Sequence, residues 1–111
     1  MDKIAEYREI IEKTLKEYAA IPYSYGNIKR RTIFDRENDT YMLFVEGWDN
    51  DERVHGILIH VDIIDGKIWI QRDGTEDGIA LDFENEGIKK SEIVLAFHEP
   101  EVRKFTDYAV A

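Results

Sequence analysis

His60 and Asp62 stand two residues apart, and Gln71 follows across an Asp65-Gly66 turn, so an imidazole, a carboxylate and an amide could share one surface. Alternation along a strand keeps His60 and Asp62 on one face, and a two-residue turn sets His60 opposite Gln71. Such a pair is what acid/base chemistry would use. With His98 it forms a candidate polar cluster, for which the plainer reading is a set of hydrogen-bonded surface side chains. His55 and His60, five apart on one strand, are expected to face opposite sides and so cannot chelate together. The serines are Ser24 and Ser91, and neither lies in a Gly-x-Ser-x-Gly elbow. No phosphate-cradling glycine loop occurs, and the absence of cysteine removes thiolate nucleophiles, thiolate metal sites and disulfides.

Asp73-Gly74-Thr75-Glu76-Asp77-Gly78, with Glu84 at the twelfth place, approximates the spacing of a calcium loop. Thr75 departs from that pattern, and Ile68-Trp69-Ile70 before it reads as a strand where an entering helix is needed. Helix capping explains the segment better: Thr75 as N-cap, with Glu76 and Asp77 in a first turn whose N–H groups favour carboxylates. No catalytic residue, cofactor or metal is therefore expected, and the chain reads as non-enzymatic.

The formal net charge is −9, a field that repels phosphate. The basic cluster is Lys29-Arg30-Arg31 with Arg36 nearby, and on a strand Lys29 and Arg31 point opposite to Arg30. A solvated edge strand is expected there in preference to a DNA contact. Two acidic groups remain: Glu46, Asp49, Asp51 and Glu52 around one loop, and the run Asp73, Glu76, Asp77, Asp82, Glu84, Glu86. One-sign surfaces select protein partners by steering and complementarity, which makes Asp73, Thr75, Glu76 and Asp77 the candidate partner contact.

The elements that must position these groups follow from periodicity. The chain has 111 residues, 43% hydrophobic and 35% charged, as suits one folded domain over 1–111. Ile4, Tyr7, Ile11, Leu15 and Tyr18 recur at helical steps and predict a helix over 3–20, ended by Pro22. A turn is expected at 23–27, then strands at 28–35, 40–48 and 53–64 joined by short polar loops, hence antiparallel. Asp65-Gly66 is a type I′ hairpin signal that sets Ile64 opposite Lys67, Ile63 opposite Ile68, Asp62 opposite Trp69 and Val61 opposite Ile70. Ile57, Ile59, Val61, Ile63, Ile68 and Ile70 form the expected core face. A second face is expected to offer Tyr41, Leu43, Val45, Leu58 and Trp69, enough apolar surface to predict a homodimer. A second helix over 76–86 stopped by Gly87, a fifth strand over 93–97 and a last helix from Pro100 to about 106 complete the chain. The fold class is α+β, an antiparallel sheet packed against an N-terminal helix in the order α-β-β-β-β-α-β-α. The charged N-terminal segment has no signal-peptide core and no run is long enough to span a membrane, so a cytoplasmic location is expected.

Ile21-Pro22-Tyr23-Ser24-Tyr25-Gly26, the stretch from Lys67 to Ala80, Glu92 to Pro100 and the close Phe105-Thr106-Asp107-Tyr108-Ala109-Val110-Ala111 resemble the XisI family over nearly the whole chain. Members are known as excision-controlling factors for a DNA element that interrupts the fdxN gene in cyanobacteria. The resemblance implies a regulator of site-specific excision, working through contacts with a companion XisH-type protein. It implies no metal. The alternatives are a DNA-binding directionality factor using Lys29 to Arg31, and a small hydrolase or ligand-binding module around His60 and His98.

Overall fold

The computed structural model describes residues 2–22 and 27–111, so most of the turn expected at 23–27 lies outside the described residues. Helix α1 spans Lys3–Ala19, and strands β1 (Asn27–Asp35), β2 (Thr40–Asp49), β3 (Glu52–Ile64) and β4 (Lys67–Asp73) follow as a meander. Helix α2 (Ile79–Asn85) crosses back to strand β5 (Ile93–Leu95) through a short 3₁₀ turn, and α3 (Pro100–Arg103) closes the order. This is the predicted succession. The sheet runs β1-β2-β3-β4-β5, antiparallel except that β5 lies parallel to β4, as a helical crossover permits.

Helix α1 is capped by Asp2, whose carboxylate accepts from the Ile4 N–H at 3.0 Å. It buries Tyr7, Ile10, Ile11, Thr14 and Leu15, the face its periodicity predicts. Asp65 and Gly66 both take positive φ, 50° and 78°, as a type I′ turn requires. The four predicted pairs from Ile64–Lys67 to Val61–Ile70 form as expected.

Two bulges change the faces. Between β2 and β3 the register slips so that Leu43 meets Ile59 while Phe44 meets Ile57, leaving Leu58 as the extra residue. Tyr41 and Leu43 thereby move to the core side opposite Val61 and Ile59, and both are fully buried. Neither belongs to an exposed second face. Ile57 goes the other way, opposite Phe44. His55, opposite Glu46, now shares a face with His60, opposite Met42, contrary to simple alternation, though four β2 positions separate them. Between β3 and β4, Gln71 is the extra residue, so His60 faces Arg72 and not Gln71.

The core is one cluster. Ile11 and Leu15 of α1 and Ile79 and Phe83 of α2 pack on Tyr41, Leu43, Ile59, Val61, Ile68 and Ile70 from the sheet. Helices α1 and α2 thus cover one face.

The β1–β2 loop is tied to α1 by Arg8, whose Nε and Nη2 donate to the two Asp39 oxygens at 2.7 and 3.1 Å. The Tyr41 hydroxyl donates to the same carboxylate at 3.0 Å. Burial and that carboxylate push the Tyr41 hydroxyl up to about 12. Arg8 holds the Asp39 carboxyl below its ordinary value against partial desolvation. A depressed carboxyl stabilises the fold above its unfolded value, about 3.9, and that contribution is lost as pH falls through the lower folded value. Asp39→Asn should accordingly flatten the fall of the melting temperature below about pH 4. Melts of both proteins between pH 2 and 7 check this, and parallel acid limbs would show that Asp39 does not contribute.

Candidate functional site

Strands β3 and β4 carry the polar cluster on the face turned away from α1. His60 Nε2 lies 3.0 Å from Asp62 Oδ1, and Gln71 Nε2 donates to Asp62 Oδ2 at 3.2 Å. The structure therefore assembles these three by a route other than the predicted one: the Gln71 bulge swings its amide to Asp62 although Arg72 takes the place opposite His60. A carboxylate gripped by two neighbours fixes the orientation of the imidazole beside it. His98 makes its contacts elsewhere. Its ring centroid is 4.6 Å from that of Phe97, and its carbonyl accepts from Arg103 Nε at 3.0 Å. Arg103 also donates to the Ala96 carbonyl at 3.2 Å and sets its guanidinium 5.5 Å from the Trp69 ring centroid. The α3 segment thus covers the Trp69 end of this face.

The Asp73–Asp77 segment is built around Asp73. Its Oδ1 accepts from the Thr75 N–H at 3.0 Å and from the Thr75 hydroxyl, and its Oδ2 accepts from the Ile79 N–H at 2.8 Å. Thr75 is therefore not the N-cap of α2. The helix starts at Ile79 instead of 76, with Gly78 at the N-cap position in a positive-φ conformation, 90°, and no capping side chain from Gly78 itself. Asp73, six residues upstream, supplies the missing acceptor. A carboxylate committed to its own loop, entered from a strand, has the geometry of a cap; the calcium-loop spacing has another explanation. Gly74 N–H donates to the Leu58 carbonyl at 2.8 Å, so the segment is locked to the β3 bulge.

The acidic run is mostly engaged within the fold. Asp82 accepts from the Tyr18 hydroxyl at 2.6 Å, Glu84 from the Tyr108 hydroxyl at 2.7 Å, and Glu86 from Lys13 at 2.6 Å. Burial, reinforced by the carboxylate, raises both hydroxyls: Tyr108 to about 12, and Tyr18 further. Sequence reasoning missed these latches because their partners lie tens of residues away. Glu76 and Asp77 are the exposed carboxylates left at the start of α2. Beside them a cleft of about 310 Å³ is lined by Tyr18, Ile21, Arg30, Leu58, Gly74, Thr75 and Glu76.

The basic strand is β1, at the sheet edge as expected. Arg30 turns to the α1 side, donating to the Tyr18 carbonyl at 2.8 Å. Lys29 and Arg31 point to the opposite face, and Arg31 Nε lies 3.7 Å from Glu46. Among the described residues no helix is long and apolar enough to cross a membrane.

An α+β protein with two helices on one face of a five-stranded sheet, a four-stranded meander extended by one parallel strand, and a polar cluster on the other face, is the class these features define. The chain belongs to the XisI family, whose model, described as XisI protein, matches residues 1–110. It is similar to the solved structure of a XisI-like protein from Anabaena variabilis ATCC 29413, with a TM-score of 0.89 at 34% identity over 96% of this chain and 98% of that one. It is also similar to that of the fdxN element excision controlling factor XisI from the same organism. There the TM-score is 0.85 at 35% identity, over 99% of this chain and all of that one. No curated protein matches the chain.

Proposed function

We propose that this chain is a non-enzymatic regulator of the site-specific excision of a DNA element, acting through contacts with a basic, XisH-type partner protein. The observation that carries this reading is the end-to-end similarity to a protein named as an excision controlling factor. Three further features support it. A net charge of −9 opposes binding through phosphate neutralisation. Arg30, the middle residue of the basic strand, is turned inward to α1, which weakens the case for a DNA-reading strand. Glu76 and Asp77 remain exposed on a loop made rigid by Asp73, a suitable rim for a cationic partner.

Glu76→Gln with Asp77→Asn should lower the association rate with the XisH-type protein several-fold and change dissociation little, as expected of rim charges. The wild-type rate should fall as salt rises, because exposed charges are screened over about 10 Å at 0.1 M. Surface plasmon resonance across a salt series reads both. Equal binding by the two proteins at all salt concentrations rejects the electrostatic contact, and tight sequence-specific DNA binding by the isolated chain in a mobility-shift assay favours the Lys29 to Arg31 strand instead. Self-association as a homodimer belongs to the same reading, on a surface other than the one Tyr41 and Leu43 suggested.

A further inference from the structure

The two edges of the sheet are unequal. Strand β5 has three residues, and its outer side is bridged by Ala109, which pairs with Val94 and donates its N–H to the Ile93 carbonyl at 2.8 Å. Strand β1 has nine residues without proline or bulge, and among the described residues β2 is the one strand hydrogen-bonded to it. Every second residue of such an edge directs its N–H and C=O outward, a template for another strand.

The side chains of β1 say which strand fits. Lys29 and Arg31 make the outer face of its first half basic, and Asp35, whose carboxylate accepts from the Glu37 and Asn38 N–H groups, makes its far end acidic. Antiparallel pairing of β1 with the same strand of a second copy lays the basic half of each on the acidic end of the other. Register then decides the fit. Centring the pair on Arg31 sets that cation against itself, a destabilising contact. Centring it on Ile33 also opposes Arg31 and Asp35, but it pairs only residues 31–35 of the strand and brings Arg30 against Arg36, the residue just past its end. Centring it on Thr32 pairs residues 29–35 and sets Lys29 against Asp35 twice, Arg31 against the exposed Ile33 and Thr32 against Thr32, with no like charges opposed; Arg30, held to the Tyr18 carbonyl, stands opposite Phe34.

We propose that two copies of this chain join through β1 in the register centred on Thr32, making one continuous ten-stranded sheet with the helices of both copies on the same side of it. This rests on the self-association proposed above and names its surface. Arg30 and Phe34 lie on the helix side, and the Lys29–Asp35 pairs lie on the side of His60 and Asp62. Because the chain has no cysteine, single introduced thiols report the contact cleanly.

Light scattering of the wild-type protein at tens of micromolar should give twice the chain mass. Lys29→Glu, at an exposed position, turns both ion pairs repulsive and should raise the dimer dissociation constant roughly tenfold. Thr32→Cys with a short bis-maleimide should give a covalent dimer, while Leu81→Cys on the exposed side of α2 should not. Circular dichroism confirms that each variant is folded. A wild-type monomer overturns both the register and the self-association. A wild-type dimer that Lys29→Glu leaves intact, or that Thr32→Cys fails to cross-link, overturns the β1 contact and leaves self-association standing on another surface.

Discussion

Phe83→Ala should cost about 3–5 kcal/mol, the usual loss for emptying a fully buried aromatic site. Phe83 has no exposed surface, and α2 brings only Ile79, Ala80 and Phe83 to the core. A seven-residue helix has little stability of its own, so its place is decided by what it buries. Against a total stability of about 5–15 kcal/mol this single ring is a large share. At about 4–8 °C per kcal/mol, the melting temperature should drop by roughly 12–40 °C. The loss should also spread. The Ile79 N–H held by Asp73, the Tyr18–Asp82 and Tyr108–Glu84 hydrogen bonds and the rigid Asp73–Asp77 segment all depend on α2 staying in place. Urea unfolding of wild type, Phe83→Ala and Phe83→Leu measures this. Leucine should restore most of the loss, and a deficit under about 1 kcal/mol for alanine would mean that the site collapses around the deletion.

Gly47→Ala should be the most damaging of the glycine substitutions, for a backbone reason. A Cβ at Gly47 would sit 1.9 Å from the Asn27 carbonyl oxygen and 2.7 Å from the Ile28 Cα. These are main-chain atoms of β1, so no rotamer change relieves the contact and the start of the strand must move. A loss of roughly 2–4 kcal/mol is expected, within the range that backbone strain produces in single mutants. Gly56, on the neighbouring strand, is the control: nothing lies within 4 Å of its added Cβ. Gly56→Ala should change stability by less than about 0.5 kcal/mol. Amide exchange should show faster opening of Ile28 to Arg30 in Gly47→Ala and not in Gly56→Ala. Equal stabilities for the two variants would reject the argument.

Where a signal was local, it was readable. The helical spacing of Tyr7, Ile11 and Leu15 and the Asp65-Gly66 turn each state their geometry within a few residues, and the element order follows from such signals. The two bulges could not be read in this way. Whether Leu58 is an extra residue depends on which residue of β2 it fails to meet, and both choices leave an apolar alternation on β3. That one residue decides whether Tyr41 and Leu43 are core or surface, and whether His55 shares a face with His60. The α2 cap failed for a related reason. Thr75 has the residue type and position of an N-cap, but Asp73 offers a charged acceptor that captures both the Thr75 N–H and the Ile79 N–H. The His60–Asp62 pair was legible because it needs only alternation within one strand, whereas His98 was grouped with it on residue type alone. The engagement of Asp82, Glu84 and Glu86 with Tyr18, Tyr108 and Lys13 is long-range, and nothing near those carboxylates in the sequence marks it.

The parallel seat of β5 bears on the order in which the molecule comes together. Strands β1 to β4 join neighbours through short turns, so their pairing closes small loops and is entropically cheap. Strand β5 pairs with β4 only after the whole segment from Gly74 to Glu92 has been gathered, and Val94 then waits for Ala109. Contacts that close long loops tend to form late and to limit the rate. The meander can thus assemble first with its β4 side still open, and the seating of β5 and Ala109 on that side is the step expected to come last.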